Sequence, residues 1–112
     1  TDILMLMMIQ SGVQMTDSSR ISATFAKSVQ GKNVGEIALQ YYTDFANPTS
    51  PLHTWNDRQD YSIDAFAQGK TAMMVNYSHH IQTLRTRAPR LNFGLAPMSQ
   101  PAGAATAVNY AH

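Results

Sequence analysis

The sequence predicts an α/β domain in which helices alternate with short apolar strands. Between Ser62 and Ala96 the residue pattern is that of helix, strand, helix and strand, an order typical of layered α/β folds. Apolar residues make up 44% of the 112 residues and charged residues 13%, which is the composition of a globular chain and not of a disordered one. We therefore expect a single domain over residues 1–112, with a modest core.

An apolar run from Ile3 to Ile9 predicts the first helix, which Thr1 and Asp2 can cap and Gly12 can end. Because Leu, Met and Ile occupy every side of this helix, we expect it to be buried in a larger body. The chain would then be a fragment of a larger protein. There are two alternatives to the fragment. The helix could be an ordinary core helix of a small domain, or its apolar surface could form a non-native dimer. The run is too short to span a bilayer, which needs ~20 residues.

Residues Asn33 to Ala46 give the clearest helical pattern. Asn33 and Glu36 have the spacing of an amino-terminal capping box, and Pro48 prevents continuation of the helix. A stripe of apolar and aromatic residues at helical spacing predicts its core face: Val34, Ile37, Ala38, Tyr41, Tyr42 and Phe45. Upstream, the alternation in Arg20–Phe25 indicates a short edge strand or hairpin arm.

The second half of the chain begins with a predicted short helix, Ser62–Gln68, followed by a glycine. Gly69 suits the left-handed conformation that closes a helix. The apolar segment Thr71–Val75 is short and nearly unbroken, which predicts a strand buried on both faces.

Ser78 can cap the next predicted helix, His79–Ala88, which Pro89 ends. Residues Asn92–Ala96 predict a second short strand. From Ser99 to His112 the chain is rich in Ala, Gly and Pro, which indicates an extended connection or a frayed end.

The loop after the first predicted strand is the candidate binding site, because open α/β sheets hold ligands between a strand's carboxyl end and the next helix. This loop contains Asn76, Tyr77 and Ser78, and His79 opens the helix. Their amide, hydroxyl and imidazole groups can bond ligand hydroxyls, while aromatic faces pack on sugar C–H faces. Trp55 is the only Trp, and capping the core is as good an interpretation for it as contacting a ligand.

Several site classes are not indicated by the sequence. The absence of cysteine excludes disulfides and thiolate chemistry. His79 and His80 would diverge by about 100° on a helix and lack a metal-ligand spacing, so we expect no metal site. No glycine-rich phosphate loop or nucleophile elbow is present, and we expect no cofactor and no catalytic residue. A net charge of +1 does not indicate a nucleic-acid partner.

Three blocks of the sequence resemble a known family. Ala65–Asn76, written AFAQGKTAMMVN, resembles the "aFaqGkaAMmin" segment of extracellular solute-binding proteins of ABC importers, in the sugar-binding, maltose-binding-protein-like branch. Ile37–Tyr42 resembles the "aLqfytdl" helix of that branch, and Asn92–Met98 resembles its "fgvaplP" strand. The blocks match in order and spacing and together cover roughly residues 34–101.

The resemblance implies a two-lobed, periplasmic-binding-protein-like (type II) fold with the ligand in the cleft. This chain would be a helix-rich part of the carboxyl-terminal lobe. Its implied function is non-catalytic binding of a small solute, a sugar or an oligosaccharide, for delivery to a membrane permease. The implied location is extracytoplasmic, in the periplasm or at the cell surface as a lipoprotein.

The resemblance also points to site residues. In the family, residues after the "AMmin" strand reach into the cleft, often as Gly/Tyr, Ser/Pro and Trp, and the corresponding residues here are Tyr77, Ser78 and His79. His79 stands in place of the stacking Trp, which leaves the ligand class open. Trp55 falls in a loop whose aromatic sometimes faces the cleft.

Two other classes of function remain as alternatives. Asp57 and Asp60 could form the carboxylate pair of a carbohydrate hydrolase, although loop charges or helix caps are the more ordinary role for such residues. The apolar face of residues 3–9 could make the chain a small helical interaction module.

Overall fold

A computed structural model describes residues 2–103 and 107–109, and within them the chain is small and helix-rich. The described residues form four helices, α1 (Asp2–Gln10), α2 (Val34–Asp44), α3 (Ser62–Ala67) and α4 (His80–Arg87). The described residues divide into two compact units. The first comprises residues 2–56, 99–103 and 107–109, and the second comprises Asp57–Met98. The helix-rich character of the predicted fold is confirmed, while the prediction of a single domain stays a prediction.

In the first unit, α1 packs against α2. The core consists of Met8, Val13 and Ala38, each at most 7% exposed. The predicted end of α1 is confirmed, since Gly12 has a φ of 89° and its amide donates to the carbonyl of Ile9. The prediction that α1 is buried on every side is wrong, because only Leu6 and Met8 of this helix are buried.

The start of α2 follows the sequence prediction, but its core face is narrower than predicted. The amide of Glu36 donates to Asn33 Oδ1 over 3.2 Å, which confirms Asn33 as the cap. Ala38 is buried, whereas Ile37 is 57% and Tyr41 48% exposed. The prediction that the whole stripe forms the core face of α2 is therefore wrong. Within the described part of this unit α1 is the one helix that packs on α2, and it covers only part of the stripe.

The hairpin arm predicted around Arg20–Phe25 is present in minimal form. Its pairing is a single antiparallel bridge between Thr16 and Ala23, one of two isolated bridges in the described residues. The hydroxyl of Thr24 donates to the carbonyl of Gln14 over 2.6 Å, which holds the arm against the chain that follows α1.

In the second unit, α3 packs against α4, and Ile63, Ala65 and Leu84 are buried. Gly69 closes α3 with a φ of 71°, which confirms the predicted left-handed stop.

The predicted cap of α4 is wrong, because His79 occupies the cap position and Ser78 precedes it. A backbone turn replaces the side-chain cap. The amides of His80 and Ile81 donate to the carbonyls of Tyr77 and Ser78.

The two predicted strands are not formed in the described residues. Neither Thr71–Val75 nor Asn92–Ala96 has β pairing, and Met73 is 85%, Val75 54% and Leu95 68% exposed. The prediction of a strand buried on both faces is therefore wrong for this structure. A strand needs a neighbouring strand for its backbone groups, and no described segment supplies one.

The carboxyl-terminal segment is held partly by side-chain hydrogen bonds. The side chain of Gln100 accepts from the amide of Val108 and donates to its carbonyl, over 2.9 and 3.0 Å. Gln10 Nε2 also donates to the carbonyl of Val108 over 3.1 Å. Residues 104–106 and 110–112 of the predicted extended tail lie outside the described residues. The predicted capping residue Thr1 also lies outside them.

The length of the helices bears on membrane insertion. The most apolar helix, α1, has nine residues, which extend over about 14 Å. Among the described residues, no helix combines the length and apolarity needed to cross a bilayer.

Candidate functional site

A pocket of about 240 Å³ lies in the second unit, and we call it the Tyr77 pocket. It is lined by α3, the start of α4, and the two segments that were predicted as strands. Its apolar lining comes from Phe66, Met74, Ile81, Leu84, Phe93 and Leu95, and its polar lining from Asn76, Tyr77, Ser78 and His80. The pocket therefore offers an apolar wall and a row of groups that can form hydrogen bonds.

The apolar wall is organised by two aromatic rings. Phe66 on α3 and Phe93 meet edge to face, with ring centroids 6.0 Å apart. This is a favourable arrangement for aromatic pairs, and such contacts are worth about 0.5–1.5 kcal/mol beyond area burial. The contact between the two rings holds the segment around Phe93 against α3, and both rings contribute to the apolar lining of the pocket.

The polar row contains three of the residues that the sequence singled out. Asn76, Tyr77 and Ser78 all line the pocket. Asn76 Oδ1 accepts from the amide of Tyr77 over 2.8 Å, and its Nδ2 lies 3.7 Å from Met74 Sδ. The side chain of Asn76 thus holds the turn that presents Tyr77, so its first role is to position Tyr77.

His79 stands beside the pocket and does not belong to its lining. Its ring stacks on that of Tyr77, with centroids 5.5 Å apart and planes 12° from parallel. This stack restricts the orientation of Tyr77. The ring of His79 therefore contacts another aromatic side chain of the chain itself.

His80, which the sequence did not single out as a ligand contact, lines the pocket. The rings of His79 and His80 have centroids 4.2 Å apart with planes tilted by 46°, so the predicted divergence of the two side chains is wrong. His79 precedes the first residue of α4 but has helical dihedral angles, a φ of −64° and a ψ of −21°, so the two rings meet through the orientation of their side chains.

Two imidazoles alone do not make a metal centre. Protein zinc sites use three or four protein ligands from Cys, His, Asp or Glu. Within the part of the chain that the structure describes, no group of three such residues is placed to hold a metal ion.

Trp55 belongs to the first unit, whereas the Tyr77 pocket belongs to the second. Trp55 is half-buried, and its amide donates to the carbonyl of Phe45 over 3.1 Å. This bond fixes the loop that follows α2.

The two candidate hydrolase carboxylates do not line the Tyr77 pocket. Asp57 is exposed. Asp60 is engaged in an ion pair with Lys70, in which both side chains are about half exposed. The structure therefore places neither carboxylate among the groups that face the pocket.

A second, larger cavity in the same unit lies along the carboxyl ends of α3 and α4. Arg87 and Arg90 are part of its rim, and Arg87 is paired with Asp64. Helix carboxyl ends carry partial negative charge, which works against anion binding at this rim. The Tyr77 pocket is the better candidate because its lining combines aromatic rings with polar groups, whereas the described lining of the larger cavity contains no aromatic residue.

Comparisons of the chain with protein-family models, with curated proteins and with solved structures find no match.

Proposed function

We propose that this chain binds a small solute, a sugar or an oligosaccharide, without catalysis. The observation that carries the proposal is the lining of the Tyr77 pocket, which combines the aromatic rings of Phe66 and Phe93 with the polar groups of Tyr77, Ser78 and His80. A sugar ring has apolar C–H faces and a rim of hydroxyl groups. Aromatic faces pack on the former, and hydroxyl and imidazole groups bond the latter.

The resemblance of the three sequence blocks supports a particular setting for this binding. In that setting the chain is part of the carboxyl-terminal lobe of an extracytoplasmic solute-binding protein with an α/β, type II fold. Residues 71–75 and 92–96 would then pair with strands outside the described residues. The exposed Met73 and Val75 would be covered by that sheet.

The mechanism in this setting is hinge closure. A second lobe closes over the ligand, and the closed form docks on the permease of an ABC importer. Ligand sites bury about 70–90% of the ligand surface, so a pocket formed by one lobe alone binds more weakly. We therefore expect affinity in the millimolar range for this chain by itself, equivalent to about 4 kcal/mol.

Binding is favoured over hydrolysis by the composition of the pocket. Glycoside hydrolysis uses two carboxyl groups that flank the scissile bond. The described residues that line the Tyr77 pocket include no Asp or Glu.

The test is a ligand titration of the isotope-labelled 112-residue chain, in which amide chemical shifts report binding. The panel contains neutral sugars, maltose among them, together with free amino acids and dipeptides. We expect sugars to shift amides around residues 74–81 and 93–96, and Tyr77→Ala to abolish these shifts. Tyr61→Ala is the matched control, because Tyr61 lies in the same unit, is 72% exposed and is not part of the lining.

The same titration separates the proposed function from its rivals. If only amino acids or peptides bind, or if Tyr77→Ala leaves sugar shifts intact, sugar binding at this pocket is refuted. Cleavage of maltose in the sample that is lost in Asp57→Asn or Asp60→Asn would favour the hydrolase.

A further inference from the structure

We infer that the Tyr77 pocket takes one neutral polyhydroxyl ring, such as a single monosaccharide unit, that it discriminates against charged sugars, and that it gains little from further sugar units. The inference rests on the proposed sugar-binding function and narrows its ligand class. It depends on two independent properties of the pocket, its charge and its size.

The pocket presents no formally charged side chain among its described lining residues. The whole sequence from Thr71 to Leu84 contains no Asp, Glu, Lys or Arg. The charged residues that flank this segment in the sequence are Lys70 and Arg85. Lys70 forms an ion pair with Asp60, and Arg85 is exposed on α4. A charged ligand would lose hydration on entering and would meet no opposite charge, which is unfavourable.

The amino terminus of α4 lies at the pocket through His80 and Ile81. Its partial positive charge favours oxygen acceptors. However, the amides of His80 and Ile81 already donate to the carbonyls of Tyr77 and Ser78, and these are two of the donors that an anion would use. Hydroxyl oxygens match the remaining weak potential without the desolvation cost of a carboxylate or phosphate.

The size of the pocket limits the ligand to one ring. Its volume of about 240 Å³ lies below the range of about 300–1,000 Å³ that holds drug-sized ligands. The apolar wall also centres on one aromatic pair, Phe66 and Phe93. One sugar ring face can pack on this wall, and further units of an oligosaccharide would extend into solvent.

The test uses the full chain and a panel matched in shape but not in charge or length. The panel contains glucose, galactose, mannose and xylose, with glucuronate as the anion, glucosamine as the cation and maltotriose as the longer chain. Amide shifts of residues 74–81 report binding. We expect at least one neutral monosaccharide to bind about tenfold or more tightly than either charged sugar, and maltotriose to gain less than about threefold over glucose, where tenfold is about 1.4 kcal/mol.

Ser78→Asp provides a variant that reverses the charge selectivity. An acidic residue before α4 is compatible with the helix dipole, so the fold should persist. We expect the variant to bind glucosamine more tightly than glucose, while the neutral control Ser78→Asn keeps the original preference. This pair separates charge at the pocket from a change in side-chain size.

The inference is overturned if glucuronate or glucosamine binds the unmodified chain as tightly as the best neutral sugar. It is also overturned if maltotriose binds more than about threefold more tightly than glucose. In both cases sugars still titrate the pocket, so the proposed function survives. If no member of the panel shifts these amides, the inference and the proposed function fail together.

Discussion

The first and second units turn equally apolar sequence into different structures. Residues 2–10 form a helix, and Leu6 and Met8 are buried against neighbouring elements. Residues 71–75 are also apolar, but they form no regular element, and Met73 and Val75 are exposed. A helix satisfies its own backbone hydrogen bonds, whereas a strand depends on a neighbour. Apolarity therefore leads to burial only where the backbone groups are satisfied as well.

Leu84→Ala is expected to have the largest effect, because Leu84 is the buried residue of α4 and is 4% exposed. Removing a buried Leu side chain leaves a cavity and costs about 2–5 kcal/mol. Urea unfolding followed at amides of α3 and α4 measures this loss. Leu95→Ala is the matched control, since Leu95 is 68% exposed and should change stability by no more than about 0.5 kcal/mol. Equal losses in the two variants would contradict the assignment of the core.

Gly35→Ala sharpens the comparison within the first unit. In an exposed helix interior this change usually stabilises by about 0.5–1 kcal/mol. Here the added Cβ would collide with the carbonyl oxygen of Phe25, so we expect destabilisation of about 1–3 kcal/mol. Thermal unfolding followed by circular dichroism measures it. Gly94→Ala, where nothing lies within 4 Å of the added Cβ, should be close to neutral, and a stabilising Gly35→Ala would refute the contact.

Arg87→Ala tests the ion pair that links α4 to α3 through Asp64. The side chains are 52% and 35% exposed, so solvent screens the pair, and the expected loss is only about 0.2–1 kcal/mol. The loss should shrink in high salt. Arg85→Ala is the control on the same helix. A loss that does not change with salt concentration would show that Arg87 contributes through packing instead.

Asp17 provides the smallest expected effect and a pH dependence. Hydrogen bonds from the Ser19 hydroxyl and from backbone amides, including that of Ser22, hold the pKa of this carboxyl below its usual 3.8. Because the folded-state pKa is lowered, the turn gains stability above about pH 4, and this gain is lost as the pH falls through the lowered pKa.

Amide shifts of Ile21, whose N–H donates to Asp17 Oδ1 over 3.0 Å, should titrate with a midpoint below 3.8. In Asp17→Asn this titration should disappear. A midpoint above the usual value in the unmodified chain would contradict the hydrogen bonds assigned to this turn.

Local sequence signals were sufficient for the parts of the fold that depend on a few adjacent residues. Asn33 as a cap, Gly12 and Gly69 as left-handed stops, and the four helices follow from short-range chemistry. The exposure of Ile37 and Tyr41 could not be predicted, because it depends on how many elements pack on α2. The strand predictions failed for the related reason that pairing depends on distant segments.

The candidate site was predictable to a similar extent. The predicted strand before this loop is not formed, so the topological argument for the site does not hold, yet Asn76, Tyr77 and Ser78 do line a pocket before α4. The contribution of His80 and the stacking of His79 on Tyr77 depend on side-chain orientations around the turn that the His80 amide closes on the Tyr77 carbonyl, and sequence patterns do not give side-chain orientations. Phe93 joins the pocket through its contact with Phe66, a long-range pairing without a local signal.

Contact between a bound sugar and the aromatic rings of the Tyr77 pocket tests the central claim most directly. The measurement is an isotope-filtered nuclear Overhauser experiment on the chain with labelled aromatic residues and an excess of the best-binding neutral monosaccharide. We expect cross-peaks from sugar C–H protons to the rings of Phe93 and Tyr77, which line the pocket. Cross-peaks to Trp55 alone, or none to the pocket rings despite shifted amides, would contradict the account.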